Sequence, residues 1–337
     1  GYNDAVEAEG GLTIDAATEF DYFHYGDFLA DGTVDLPMLC ASRPLFEYIA
    51  RERLAAYEGV HLRGETVFRE FLSESGGIDP SGVRVTTRGG TDERLDADLV
   101  VDATGRTSRT PDWLDRAGYT RPSTDSVKID LAYSTVAVDR PADRRQGYLV
   151  APDTELRRGG TAVPVEDDRW LVTLFGLHGD HPPTDPDGLQ SFAASLPTPV
   201  LYRLLDNHEW RMSEANYHPF QCNQWRHYAH LDRWPSGLLP IGDTIASFNP
   251  IYGQGMSVAA LEALELHAAM REQSQSSLPT LYLDRAEDVL SNVWLMTVSA
   301  DHQFPQTTGP KPRGTDLFNW YQSRLIRGAH ADGRLSD

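Results

Sequence analysis

The sequence predicts a mixed α/β fold, and three patterns carry that expectation. Two short apolar runs, Leu99-Val100-Val101 and Leu238-Leu239 with Ile241, stop at small residues, as buried strands of a doubly wound sheet do where they admit a ligand. Between them, Asp125 to Tyr148 and Arg158 to Gly179 alternate and are rich in β-branched and aromatic residues, which is the pattern of an antiparallel sheet. Beyond them, Leu278 to Ser299 and Leu317 to His330 repeat apolar residues at helical spacing.

Composition narrows the partners. The chain of 337 residues carries 50 acidic and 30 basic residues, a net charge of −20. Only Lys128 and Lys311 are lysines, so nearly all the basic residues are arginine. Such a surface repels nucleic acid and anionic membranes. High acidity with almost no lysine also suits a salt-rich, halophilic cytoplasm, where screening removes the self-repulsion. Cys40 and Cys222 stand far apart, outside any metal-ligand spacing, and read as free thiols of an intracellular protein. No run of about 18 apolar residues marks an integral membrane segment, and the first residues carry no export signal. A cytoplasmic location is expected.

In chain order, Gly1 to Thr18 is acidic and glycine-rich and shows no opening strand. Glu19 to Tyr25 and Thr33 to Met38 read as a strand pair around the loop Gly26 to Gly32. Ser42 is placed to cap a helix with Pro44 in its first turn, and Phe46, Ile49, Ala50, Leu54 and Tyr57 form its apolar stripe. Val60 to Leu72 and Gly82 to Arg88 read as strands, with turns at Gly76-Gly77 and Asp79 to Gly82.

The antiparallel stretch should turn at Arg140-Pro141 and at Asp167-Asp168. His178, Asp180 and His181 precede Pro182-Pro183 and lack a third nearby ligand, so a loop is favoured over a metal site. His227 and His230 are a similarly thin signal, and no metal is expected. Asp185 to Asp206 reads as two short helices separated at Pro197 and Pro199, and Ala215 to Trp225 as a strand. Leu283, Leu290, Val293 and Trp294 are the expected core of one C-terminal helix, and Leu317, Trp320, Leu325 and Ile326 that of the next. Apart from Gln273 to Ser277 there is no low-complexity tract.

Chemistry concentrates between Ser236 and Leu266. Gly242 ends a buried strand and lets a ligand approach the backbone, and Asp243 can accept hydrogen bonds from sugar-type hydroxyls. Asn249-Pro250 punctuates a loop. Gly253-Gln254-Gly255 then opens a long helix whose free N–H groups and partial positive charge face whatever lies in front. Such a site suits a flat, anion-forming ligand.

Gly-Asp, then Asn-Pro, then Gly-Gln-Gly-Met-Ser resembles the second FAD fingerprint of the flavin monooxygenases with the para-hydroxybenzoate hydroxylase fold. The resemblance implies that Gly242 and Asp243 lie on the ribityl chain, and that Pro250, Gly253, Gln254, Gly255 and Met256 lie beside the isoalloxazine ring. It also implies that Arg43, at the start of its helix, reaches the cofactor. Asp102-Ala103-Thr104-Gly105 looks like the motif closing the FAD-binding sheet in such proteins, although Thr104 stands where aromatic hydroxylases have Asp. The span Ser42 to Arg109, the loop His178 to Pro183 and the run Asn249 to Ala259 are most similar to polyene-epoxidase-like members.

The first fingerprint, G-x-G-x-x-G, does not occur here. The resemblance covers roughly Phe20 to Arg327 and lacks the opening βαβ unit, which the chain is expected to begin after. The architecture it implies is an incomplete two-dinucleotide-binding, Rossmann-like FAD domain with an antiparallel substrate sheet and C-terminal helices. In residues, 1–120 and 236–275 belong to the FAD domain, 121–235 to the substrate sheet and 276–337 to the helices.

The implied activity is an FAD-dependent monooxygenase. NADPH or NADH would be the reductant, and a flavin hydroperoxide would hydroxylate or epoxidise a small organic substrate with dioxygen. Tyr133, His178 and Tyr217 on the sheet are candidate substrate residues, and no catalytic residue is named. A geranylgeranyl-reductase-like flavin enzyme and a cofactor-free binding scaffold remain open. A flavin halogenase is disfavoured, since no Trp-x-Trp-x-Ile-Pro is present.

Overall fold

A computed structural model describes residues 1–73, 78–272 and 277–336. The first segment holds α1 (Tyr2–Ala8), β1 (Leu12–Asp15), β2 (Phe20–His24), β3 (Asp27–Phe28), β4 (Pro37–Cys40) and α2 (Arg43–Ala55). Its beginning corrects the sequence reading, because both a helix and a strand lie before Thr18. Leu12 and Ile14 point to one face, Ile14 is buried, and β1 pairs antiparallel with β4. The Thr33 to Met38 region therefore does not pair with β2. Instead, β2 joins a larger sheet, running parallel to a later strand and closed at the edge by β3.

β5 (Thr66–Ser73), β6 (Pro80–Thr87) and β7 (Asp92–Asp96) form a three-stranded antiparallel sheet. The strand expected from Val60 starts only at Thr66. β7 was not foreseen because Asp92-Glu93-Arg94-Leu95-Asp96 is nearly all charged, a composition suited to an exposed edge strand. The Gly76-Gly77 turn and residues 273–276 of the polar tract lie outside the described residues.

β8 (Val100–Asp102) is followed by α3 (Thr110–Arg116) and the long β9 (Thr124–Asp139). Then come β10 (Gly147–Val150), β11 (Arg158–Val165), β12 (Arg169–Gly176), α4 (Pro186–Ala194), α5 (Val200–Asn207) and β13 (Asn216–Arg226). The stretch Asp125 to Tyr148 divides into β9 and β10, with the chain turning after Asp139 at Arg140-Pro141 as expected. The turn at Asp167 and Asp168 is present, both residues having positive φ (59° and 51°), a region aspartate tolerates.

β14 (Leu238–Pro240) and β15 (Ala246–Ser247) complete the strands. Eight of them form one sheet in the order β15-β13-β9-β12-β11-β10-β2-β3, antiparallel except where β10 meets β2. Val138, Val150, Val172 and Leu174 on this sheet pack against Leu189, Leu201 and Leu205 of α4 and α5. β8 and β14 make a separate parallel pair, as their common apolar runs suggest.

α6 (Gly255–Glu272), α7 (Leu278–Asp301) and α8 (Thr315–Ala329) close the chain. Leu238, Leu239, Tyr282, Leu283, Leu290 and Trp294 share a core, with Val293 packed against it. α8 departs from expectation: Leu317 and Trp320 are 70% and 53% exposed, Leu325 is also exposed, and only Ile326 is half-buried. The helix docks through its polar side instead. Asn319 donates to the Ser299 carbonyl at 2.7 Å, and the Thr315 and Ser299 hydroxyls meet at 3.1 Å. On α2, Ile49 is buried and Phe46 and Ala50 are half-buried, but Leu54 faces solvent, as does Tyr57 beyond the end of the helix.

Candidate active site

Parallel pairing of β8 and β14 brings Asp102 level with Pro240, so the two chains leave the sheet side by side. Asp102 is buried and ties the first exit together. It accepts from the Thr104 amide (2.9 Å) and hydroxyl (2.6 Å), from Ser108 Oγ (2.6 Å) and from Thr110 Oγ1. The Gly105 amide crosses to Thr244 Oγ1 at 2.9 Å. A Cβ on Gly105 would stand 3.6 Å from Asp243 Cβ, so these two predicted residues face each other closely.

Gly242 has φ of 65°, which favours glycine, and its amide donates to Glu262 Oε2 at 3.1 Å. Glu262 sits on the buried face of α6 with Oε1 unpartnered. Burial pushes its pKa up to about 7 and Asp243 adds to the rise, while the Gly242 amide opposes it. Asp243 itself faces outward and accepts no hydrogen bond among the described residues. Partial burial raises its pKa, with Arg106 and Arg43 pulling it down. Arg43, at the first turn of α2, pairs with Glu47 at 2.8 Å, and the Glu47 carboxylate holds its pKa above the usual range. Ser42 caps that helix as expected, accepting from the Leu45 amide at 3.3 Å.

The Asn249-Pro250 loop is fixed by a buried polar cluster. Asp301 at the end of α7 accepts from Asn223 Nδ2 (2.6 Å), Asn249 Nδ2 (2.8 Å) and Tyr252 OH (3.0 Å). Burial raises its pKa to about 6 against those three donors. Pro250 opens a short 3-10 turn, Pro250–Tyr252, closed by Gly253 at φ 70°. The helix therefore begins at Gly255, two residues later than the sequence suggests. A Cβ on Gly242, Gly253 or Gly255 would meet no heavy atom within 4 Å. Those three glycines leave one side of the site open. Gln254 is turned away to Thr297 Oγ1, and Met256 is exposed.

The three substrate candidates lie on or beside the paired strands β9 and β13. Tyr133 lies 5.4 Å from the His218 ring; burial raises its pKa and Arg43 opposes, which puts it on the Arg43 side. His178 occupies a left-handed turn (φ 55°), meets Thr307 Oγ1 at 3.3 Å and packs on Phe304. Burial lowers its pKa. Tyr217 is 40% exposed, and its hydroxyl lies 3.3 Å from His181 Nδ1.

Sequence reasoning gave no role to Asp102 or Arg106, although both stand in or beside a quoted motif, and missed Glu262, Asn223 and Asp301. Arg106 stacks 4.6 Å over Phe220 and reaches Ser247. Of the three missed, Glu262 left a local signal, an acidic residue four after Val258 on the buried stripe. Beside the loop, Tyr22, Tyr25, Ile251, Tyr252 and Met296 line a cavity of about 260 Å³.

No protein-family model matches the sequence. Protein Rv3254 of Mycobacterium tuberculosis is 34% identical over 230 residues, 66% of this chain and 48% of its own length. The match thus spans about half of that curated relative. Among solved structures, the flavin-dependent brominase Bmp2 aligns with a TM-score of 0.61 at 15% identity, over 99% of this chain and 80% of that one. The p-nitrophenol 4-monooxygenase PnpA from Pseudomonas putida DLL-E4 aligns with a TM-score of 0.63 at 16% identity, over 98% and 80%. A flavoprotein/dehydrogenase from Cytophaga hutchinsonii aligns with 0.64 at 14%, over 99% and 76%. At these identities the likeness establishes the fold: the chain has the mixed α/β architecture that these flavoproteins share.

Proposed function

We propose that the protein is an FAD-dependent oxidoreductase, a monooxygenase that hydroxylates or epoxidises a small organic molecule. One observation carries this reading. Gly242, Gly253 and Gly255 have open space where a Cβ would stand, Gly105 approaches Asp243, and the exposed Asp243 carboxylate accepts no hydrogen bond among the described residues. This donor and acceptor set fits FAD. Bound there, FAD would supply two-electron chemistry linking NADPH or NADH and dioxygen to the substrate.

The chain's own residues do the holding. Asp243 accepts hydrogen bonds from ribityl hydroxyls, and Thr104 and Gly105 line the neighbouring strand end. Arg43 neutralises nearby negative charge. The amides at Gly255 and Met256 open α6, so its dipole favours negative charge on the ring. Pro250 has no N–H and presents an apolar edge there. Residues 1–120 and 236–275, apart from β2, β3 and β15 in the eight-stranded sheet, form this cofactor half, 121–235 the substrate half, and 276–337 the helices that close it.

The adjoining cavity would hold the substrate between the aromatic and aliphatic surfaces of Tyr25, Ile251, Tyr252 and Met296 and the polar groups of His24, Gln303 and Gln322. Tyr133, on the Arg43 side, would contact the substrate edge, and His178 and Tyr217 would support the sheet behind it.

The test is turnover of the full chain with FAD, NADPH and heavy-isotope dioxygen against a panel of aromatic and polyunsaturated compounds. The expected product carries one labelled oxygen atom. Anaerobic saturation of a double bond with no label would replace this reading with the geranylgeranyl-reductase-like one.

A further inference from the structure

We infer that His227, His230 and Glu287 form a binding site for a divalent transition-metal ion of the zinc class. β13 ends at Arg226, and His227 leads into a 3-10 turn, Tyr228–His230, that lies against α7. A nitrogen of each imidazole and a carboxylate oxygen of Glu287 lie within 4.8 Å of one another. The sequence supplied two histidines at a spacing of three; the third ligand arrives only because α7 packs there.

The surroundings of His227 point to a ligand. Its Nε2 lies 3.2 Å from Asp125 Oδ2 on β9, so the hydrogen belongs on Nε2 and the lone pair on Nδ1. That Nδ1 is buried and has no hydrogen-bond partner. A buried polar atom left unpaired is costly, and a cation at the lone pair removes the cost. A carboxylate behind a ligating imidazole is also the usual way such a ring is held in one tautomer and orientation.

His230 supplies the adjustable arm. Its Nε2 lies 2.9 Å from Glu287 Oε1. The two rings stack with centroids 5.1 Å apart and planes at 4°, so their lone pairs lie in nearly parallel planes. A shared ion requires one ring to turn. The His230 side chain is 63% exposed and free to do so, whereas that of His227, at 13%, is held.

Two imidazoles and a carboxylate suit Zn²⁺ over Mg²⁺ or Ca²⁺, which take mostly oxygen ligands. The charges of Glu287 and Asp125 balance a dication. A solvent molecule completes the tetrahedron on the exposed side. The ion joins the exit of β13 to α7, a structural role independent of the flavin reading.

The experiment uses untagged, chelator-treated full chain titrated with Co²⁺, read by visible d–d absorption, followed by competition with Zn²⁺. One equivalent of tetrahedral Co²⁺, displaced by Zn²⁺, is expected. His230→Ala and Glu287→Gln should each weaken binding by at least about 100-fold, and Asp125→Asn by about 10- to 100-fold, with circular dichroism unchanged. The inference is overturned if uptake never saturates at one equivalent, or if His230→Ala and Glu287→Gln bind as the parent does. Equal affinity for Mg²⁺ also overturns it.

Discussion

In the eight-stranded sheet Val138, Val150, Val172 and Leu174 are shielded from water beneath Leu201 of α5; around the loops that follow β8 and β14 the shielded side chains include Asp102, Asn249, Glu262 of α6 and Asp301 of α7. The first region is held by apolar area and close packing, which is insensitive to pH and direction. The second is held by directional contacts to carboxylates, each costly to bury and each fixing one backbone segment. This contrast separates stability from function. The sheet can lose contacts and keep its site geometry, whereas the loops trade stability for a fixed array of glycines and amides.

Four perturbations would sharpen or break that contrast. The largest effect is expected in the sheet, where Leu174→Ala opens a cavity and should cost up to about 5 kcal/mol in denaturant unfolding. Flavin affinity of the folded fraction should not change; a parallel loss of affinity would mean the two regions are not separable.

In the loops, Asp301→Ala strands the Asn223, Asn249 and Tyr252 donors. Relief of carboxylate burial offsets part of the loss, and the net cost should be about 3 kcal/mol. Denaturant unfolding reads it, and a change below about 1 kcal/mol would show that the cluster does not anchor the loop.

The third perturbation is pH. Glu262 and Asp301 both have folded pKa values raised above their ordinary ones, to about 7 and about 6. A raised carboxyl pKa means the folded state binds the proton more tightly. The contribution is therefore fully present below the ordinary pKa and lost as pH rises through the folded value. Stability should fall between about pH 4.5 and 7 for Glu262, by on the order of 3 kcal/mol, with Asp301 adding a fall that ends near pH 6. Glu262→Gln keeps an acceptor for the Gly242 amide and should flatten the upper part of the profile. An unchanged profile in that variant would remove Glu262 as its source.

The smallest effect is that of salt. A net charge of −20 should make the melting temperature rise by a few degrees between 0.1 and 2 M potassium chloride, since the Debye length falls to about 3 Å by 1 M. A flat or falling curve would contradict the halophilic reading of the composition.

The same contrast explains how much the sequence revealed. Sheet strands were legible where alternation was strong, as in β9, β12 and β13, and the strand-loop-helix at Gly242 to Gly255 was legible because Gly, Asp and Pro have few structural uses. Tertiary choices were not legible. β7 is a charged edge strand with no apolar signal. The stripe Leu317, Trp320, Leu325 has helical spacing, yet α8 turns it outward because Thr315 and Asn319 find partners on α7. Asp301 and Asn223 lie far from the motif in sequence and reach it only through packing. At the candidate site, Gly105 and Asp243, named from two separate motifs, come close to each other, while Tyr133 and Tyr217 lie on the paired strands β9 and β13.

The account rests on Asp243 and the glycines around it forming a flavin cradle. The direct test is FAD titration of the full chain and its Asp243→Ala variant by flavin fluorescence, with thermal melts of both in the absence of FAD. Loss of charge-assisted hydrogen bonds worth roughly 1.5–3 kcal/mol predicts binding weaker by about 10- to 100-fold, with the melting temperature little changed. Equal affinity in both proteins, or a collapse of the melting temperature without selective loss of flavin, would contradict it.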